Sequence, residues 1–155
     1  FNNMKTKHLL YGLLFILLFS CKKEEGNEPL PPISNTPEIE LLTTSSTNIN
    51  QFDDVEFKIQ YTDGNGDLGE TDPDTYSIFV TDKRDESIVH EFHLQPLAPI
   101  NKSFAIQGNL RINIENIILL DQSNTSETAR FSIYIKDRAG NKSNTVTSSS
   151  IRISK

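Results

Sequence analysis

The sequence predicts an all-β domain of the antiparallel β-sandwich class, preceded by a signal peptide and a disordered tether. From residue 38 onward, apolar and polar residues alternate with a period of two, which is typical of strands that bury one face. Turn-forming Asp, Asn, Gly and Pro residues separate the alternating segments. No segment shows a sustained helical stripe, and residues 114–120 are the one ambiguous run. About seven short strands with such regular turns indicate a sandwich.

The alternation is clearest in residues 55–61, where Val55, Phe57, Ile59 and Tyr61 are separated by polar residues. Because successive side chains of a strand point to opposite faces, this pattern gives one apolar face and one polar face. Six further segments show the same alternation or a short part of it: residues 39–41, 78–80, 88–94, 110–114, 131–135 and 151–153.

The N-terminus has the pattern of a signal peptide. Residues 4–8 form a short basic start, and the almost wholly apolar residues 9–19 follow. This run is shorter than the roughly 20 residues that a membrane-spanning helix needs. Residues 18–21, Leu-Phe-Ser-Cys, resemble the lipobox of bacterial lipoproteins. The resemblance implies that residues 1–20 are removed and that Cys21 carries a covalent diacylglycerol and acyl lipid. The alternative is a buried N-terminal helix that ends at an incidental cysteine.

The residues after Cys21 indicate where the chain is displayed. Lys22, Lys23, Glu24 and Glu25 are similar to the export signal of Bacteroidetes surface lipoproteins, which implies the outer membrane and its cell-surface face. The alternative is a solvated run of charges on a flexible segment. Four prolines lie between residues 26 and 37. Proline-rich segments favour extended polyproline II and do not form a core, so residues 21–37 are predicted to be a lipidated tether.

Two segments within the β domain resemble known bacterial domains. Residues 57–69 are similar to the strand and Asp/Gly loop of uncharacterised Bacteroidetes lipoproteins, and residues 134–144 look like the last hairpin of bacterial Ig-like domains. The resemblance implies an immunoglobulin or fibronectin III-like sandwich over residues 38–155. The Cys…Trp…Cys core of antibody domains is missing, because Cys21 lies before the domain and the chain has no Trp.

Composition excludes several functions. The chain carries 15 Lys and Arg against 21 Asp and Glu, for a net charge of −6, and this argues against a nucleic-acid partner. The single cysteine excludes an intramolecular disulfide. No G-x-S-x-G motif is present, and Cys21 is committed to lipid, so we predict no catalytic residues and no enzyme activity.

One loop carries the pattern of a metal site. Asp63, Asn65 and Asp67 occupy the first, third and fifth positions of a D-x-N-x-D pattern, and the same loop also contains Asp72 and Asp74. Hard oxygen ligands at alternate positions are what Ca²⁺ requires, so these five residues are predicted calcium ligands. Leu68 stands where EF-hand loops have Gly. The alternative is a long polar hairpin loop in which Gly and Asp satisfy only the turn.

These observations predict a non-enzymatic lipoprotein of the cell surface. The lipid anchor gives it contact with the membrane, and the Ig-like domain would bind an unknown protein or glycan, as an adhesion or accessory module. Two alternatives remain open. The chain could be a glycan- or peptide-directed enzyme, or an enzyme's accessory domain, that uses the loop from Asp63 to Asp74. It could also be an assembly subunit that faces the periplasm.

Overall fold

The computed structural model of the protein describes residues 32–155, which belong to one compact unit, Pro32–Lys155. The predicted signal peptide, Cys21 and the charged residues 22–25 lie outside the described residues. No helix occurs between residues 32 and 155. This part of the chain therefore contains no helix long and apolar enough to cross a membrane.

The described residues form ten strands. In chain order they are β1 (Glu38–Thr44), β2 (Asn48–Asn50), β3 (Val55–Asp63), β4 (Ile78–Asp82), β5 (Val89–Phe92), β6 (Ile106–Ile114), β7 (Ser126–Ala129), β8 (Phe131–Ile135), β9 (Val146–Thr147) and β10 (Ile151–Ser154). Each of the seven predicted segments overlaps one of these strands. The three strands that the alternation did not predict, β2, β7 and β9, have only two to four residues. The ambiguous run forms no regular element beyond Ile114.

The strands form three sheets with the orders β1-β3-β6, β5-β4-β8-β9 and β2-β10-β7. Pairing is antiparallel except between β10 and β2, which run parallel. β7 belongs to the third sheet and β8 to the second, and only Arg130 separates the two strands. The chain therefore passes directly from the third sheet into the second at this point. The prediction of an all-β, antiparallel architecture is confirmed, and the arrangement is consistent with a β-sandwich.

One hydrophobic core lies between the sheets. Its cluster contains residues of all three, with Ile59 from the first sheet, Ile133 from the second and Ile153 from the third. Phe57 of β3 and Phe131 of β8 meet inside it, with ring centroids 5.5 Å apart and planes tilted by 52°. Both rings are almost fully buried, and replacing such a ring by Ala typically costs about 3–5 kcal/mol. This contact joins two sheets that share no backbone ladder.

Side chains complete the pairing where the ladders are interrupted. Ser148 Oγ accepts a hydrogen bond from Phe131 N, and Ser143 Oγ accepts one from Ile135 N, both over 3.0 Å. Asn144 acts like a strand residue towards Ile39: its Oδ1 accepts from Ile39 N and its Nδ2 donates to Ile39 O, both over 2.8 Å. Buried backbone groups need such partners, so these residues connect β1 and β8 to the segments directly before and after β9.

A nearly buried ionic network joins β4 to β7. Arg84 donates to Asp82 Oδ2 over 2.6 Å and to Glu127 Oε2 over 2.8 Å. The Arg84 side chain is 12% exposed, and those of Asp82 and Glu127 are 3% and 13% exposed. Glu127 also accepts backbone hydrogen bonds from Leu120 and Asp121. Arg84 therefore neutralises two carboxylates that water hardly reaches.

We expect Arg84→Met to reduce the free energy of unfolding by about 3 kcal/mol, because it leaves two carboxylates without their cation. Urea denaturation of the purified protein measures this change. The matched control is Arg111→Met, since Arg111 pairs with Glu56 over 3.1 Å but its side chain is 70% exposed. An exposed pair contributes less than about 1 kcal/mol. Equal losses in both variants would contradict the structural role of the network.

Candidate functional site

Three strands carry an aspartate into the interior of the protein. Along β3 every second side chain is buried, and Asp63 occupies the fifth buried position after Val55, Phe57, Ile59 and Tyr61. Asp82 ends the buried row of β4 in the same way, and Asp137 continues the buried row of β8. Since alternation sets the direction of each side chain, an Asp at the end of an inward row is carried inward too. All three are at most 3% exposed.

Two of these aspartates have all the partners that they need. Asp82 is paired with Arg84, as described above. Asp137 Oδ1 accepts from Asn141 N over 2.7 Å, and its Oδ2 accepts from Asn141 Nδ2 over 2.8 Å. Asn141 belongs to the turn between β8 and β9, so a neighbour in sequence satisfies Asp137.

Asp63 is only half satisfied. Its Oδ2 accepts a hydrogen bond from Asp67 N over 2.9 Å, whereas its buried Oδ1 has no hydrogen-bond partner. Asn65 Oδ1 and Asp67 Oδ1 are also buried without a partner. Among residues 32–155, these are three of the four buried side-chain polar atoms that lack a partner, the fourth being Ser77 Oγ. Positions 63, 65 and 67 of one turn therefore hold three unsatisfied oxygens.

The electrostatics of this turn oppose the charge on Asp63. The pKa of Asp63 is raised, first because burial removes water from the carboxylate and then because the negative charge of Asp67 lies nearby. The charge of Asp137 raises the pKa further, while the backbone N–H groups of Asp67 and Gly66 lower it. Among the described residues, no salt bridge reaches Asp63, Asp67 or Asp137.

Arg138 directly follows Asp137 in the sequence, but its charge points away from the carboxylates. The guanidinium of Arg138 donates to the carbonyl oxygens of Gly69, over 2.8 Å, and Leu68, over 3.4 Å. Its backbone N–H donates to Asp67 O over 3.1 Å. Arg138 therefore holds the backbone of the Asp63 turn against the turn after β8 and leaves the carboxylates without a cation.

Leu68 explains why this loop departs from an EF-hand. Its side chain is fully buried in the core, and its backbone forms a β-bridge with Asp137. The flanking Gly66 and Gly69 have φ of +73° and +87°, values that an L-residue rarely adopts. The chain turns at these two glycines, so position 68 is free to supply a core side chain.

The two other predicted ligands have different surroundings. Asp72 and Asp74 are exposed, and Asp72 Oδ1 accepts a hydrogen bond from Asp74 N over 3.0 Å. A hydrogen bond from Asp67 N to Asp63 Oδ2 closes one turn that also contains Asn65, whereas Asp72 and Asp74 form a local turn of their own. The proximity of Asp137 was not predicted, although the buried row of β8 points to it. Within residues 32–155, no group of three or more His, Cys, Asp or Glu side chains is placed to hold a metal ion.

Comparison with protein families, with curated proteins and with solved structures finds no match for this chain. A proposal for its function therefore rests on the sequence and on the contacts described above.

We expect Gly69→Ala to destabilise the protein by at least about 2 kcal/mol, because a left-handed conformation is strained for alanine and the added Cβ would meet Gln95 O at 2.2 Å. The control is Gly140→Ala, since Gly140 has a similar φ of +86° and an added Cβ there meets nothing within 4 Å. That variant should lose only about 1 kcal/mol, the cost of strain alone. Thermal unfolding measures both. Equal losses would mean that the close packing of Gly69 does not constrain the loop.

Proposed function

We propose that this chain is a lipid-anchored lipoprotein of the outer cell surface, and that it displays an Ig/fibronectin III-like sandwich as a non-enzymatic binding module. The basic start, the short apolar run and Cys21 support the anchor. Lys22, Lys23, Glu24 and Glu25 support display on the outer face. Several acyl methylenes, each contributing about 0.8 kcal/mol when buried, hold such a domain at the membrane.

The strand order supports the Ig/fibronectin III type. In the Ig constant-type sandwich the first, second, fourth and fifth strands form one sheet, and the third, sixth and seventh form the other. Here β1, β3 and β6 share one sheet. A second sheet contains β4, β8 and β9, with β5 beside β4. When β2 is counted as an added strand, β5 as the fourth strand, and β7/β8 and β9/β10 as interrupted strands, β6 becomes the fifth strand. The sheets then have the orders 1-2-5 and 4-3-6-7, which differ from the Ig constant-type arrangement in the sheet that the fourth strand joins.

The observation that carries the binding function is the free edge of β6. This strand pairs with β3 over nine consecutive residues without a register shift, and among the described residues no other strand pairs with it. The opposite edge of the same sheet is different, because the register of β1 shifts between Leu41 and Thr43. Bulges, prolines and short strands normally protect a sheet edge. The nine-residue edge of β6 has none of these protections.

An unprotected edge of this length fits an extended segment of a partner protein. Such a segment adds as a further strand, and its backbone groups pair with the free N–H and C=O groups of the edge. Gln107, Asn109, Arg111 and Asn113 alternate along β6 as exposed side chains. These side chains would contact the solvent-facing side chains of the added partner strand. A glycan offers no comparable ladder of amides, so the edge favours a protein partner.

The burial of Asp63 supports binding over catalysis in the acidic loop. A raised carboxyl pKa is a property of general acids, and burial produces it at Asp63. A general acid must also reach its substrate, whereas Asp63 is 0% exposed and its Oδ2 is held by Asp67 N. The enzyme alternative would require the loop to open. An assembly subunit facing the periplasm would share the lipid anchor and differ only in its location.

We expect Cys21→Ala to release the protein from the membrane, because the variant has no thiol to acylate. Fractionation of cells and immunoblotting measure this release.

Protease added to unbroken cells should degrade the parent protein, and neutralising Glu24 and Glu25 should protect it while leaving the lipid in place. A Cys21→Ala variant that is processed and still membrane-bound would contradict the anchor, and a protected parent would favour the periplasmic alternative.

We expect a photo-crosslinking residue at position 109 on β6 to capture a partner on intact cells. The same residue at position 40, an exposed site on the shifted edge strand β1, should capture little. Leu110→Lys places a charge on the inward row of the edge strand and should abolish capture at position 109, with folding checked by circular dichroism. Equal capture at both positions, or capture that survives Leu110→Lys, would contradict strand addition at β6.

A further inference from the structure

The three inward aspartates differ in one respect that calls for a ligand. Asp82 has Arg84, and Asp137 has both donors of Asn141. Asp63 Oδ2 accepts from the N–H of Asp67, and the N–H of Gly66 also favours the charge on Asp63, but its buried Oδ1 has no hydrogen-bond partner. Leaving a buried polar group unpaired costs free energy, and leaving a buried charge unpaired costs more. A protein that satisfies the other two aspartates so completely should also satisfy the third.

We propose that Asp63 Oδ1, Asn65 Oδ1 and Asp67 Oδ1 bind a calcium ion in the turn that follows β3. The inference is independent of the proposed partner at β6. It narrows the five predicted ligands to three, and it rests on the unpaired, buried oxygens of those three residues.

A hard divalent cation fits this set of atoms. Two carboxylate oxygens and one amide oxygen are hard ligands, and Ca²⁺ takes six to eight oxygen ligands in flexible geometry. Alternate positions of a turn are where calcium loops place their side-chain ligands. Mg²⁺ demands a near-ideal octahedron and keeps several waters, so it fits an irregular turn less well. The proposed site has two carboxylates and one amide, so it differs from a group of three or more His, Cys, Asp or Glu ligands, of which residues 32–155 contain none.

Asp137 supplies charge to this site without supplying a ligand. Its negative charge acts on Asp63, while its own two oxygens already accept hydrogen bonds from Asn141. A bound calcium ion would therefore neutralise three neighbouring carboxylates while contacting two of them. The Asp137 turn is already joined to the site through Arg138 N and Asp67 O, so the ion would stabilise the contact between the two turns.

The site also borders the end of the proline-rich segment. Gly64 N donates to Ser34 O over 2.7 Å, and a Cβ at Gly64 would lie 2.3 Å from Ile33 O. Residues 33 and 34 therefore run directly against the turn that holds the three oxygens. Calcium that orders the turn would order this contact as well, and would fix where the described chain enters the domain.

The test uses the full-length protein, purified in detergent and stripped of metal with chelator. Isothermal titration with calcium chloride should show one ion per chain, with a dissociation constant of about 10⁻⁴ to 10⁻³ M, as in extracellular modules. A ligand that binds only the folded state raises the melting temperature by mass action. At about a hundred times the dissociation constant, we expect a rise of roughly 8 °C.

Asp63→Asn separates loss of binding from loss of folding. Without calcium, this variant should melt at the same temperature as the parent or higher, because it removes a buried, unpaired charge. With calcium, it should show no rise. Asn65→Asp is the complementary variant: an added ligand charge should bind calcium about ten-fold more tightly. The matched control is the double variant Asp72→Asn/Asp74→Asn, which removes the two exposed carboxylates of the same loop and should bind as the parent does.

Three results would overturn the proposal. The first is a parent protein whose melting temperature does not respond to calcium. The second is calcium binding that survives Asp63→Asn, and the third is binding that the Asp72→Asn/Asp74→Asn control abolishes. A failure of partner capture at β6 affects none of these measurements, so the calcium site and the binding function are tested separately.

Discussion

Side chains on a β-strand point alternately to its two faces, and β3 uses this alternation to carry Val55, Phe57 and Ile59 into the core together with Asp63. The position of the carboxylate therefore cannot be changed without moving the core residues, because a slip of one residue would turn the whole row outward. The free energy of the core holds Asp63 where water does not reach it. The chemistry of the turn after β3 is a consequence of the packing before it.

The same constraint acts on Asp82 and Asp137, and the three aspartates show three solutions. Asp82 meets a guanidinium, and Asp137 meets an amide and a backbone N–H. Asp63 Oδ2 meets the N–H of Asp67, while its Oδ1 has no partner and shares a turn with two other buried oxygens that lack partners. The first two are structural, because their partners are present in the chain. At the third, the chain leaves buried acceptor oxygens without enough donors, and this shortage is the basis of the proposed calcium site.

The candidate site and the free edge of β6 both belong to the sheet formed by β1, β3 and β6. Asp63 is the last residue of β3 and pairs in register with Ile106, the first residue of β6. The edge that could accept a partner strand therefore begins beside the turn that could bind an ion. In the proposed display module, the proline-rich segment also meets this turn, through Ser34 and Gly64. The segment at Ser34, the turn after β3 and the start of the β6 edge are thus adjacent at one end of this sheet.

Period-two alternation by itself determined the class of the fold and most strands, because it is a local property that neighbouring residues express without the rest of the chain. The short strands β2, β7 and β9 escaped it, since each contains a single apolar residue and so shows no alternation. The sequence also indicated Asp63, Asn65 and Asp67 through their spacing. Only the tertiary structure separated them from Asp72 and Asp74, and showed that Asp137 lies near. Burial and missing partners depend on contacts between residues far apart in the chain, and no local pattern records those contacts.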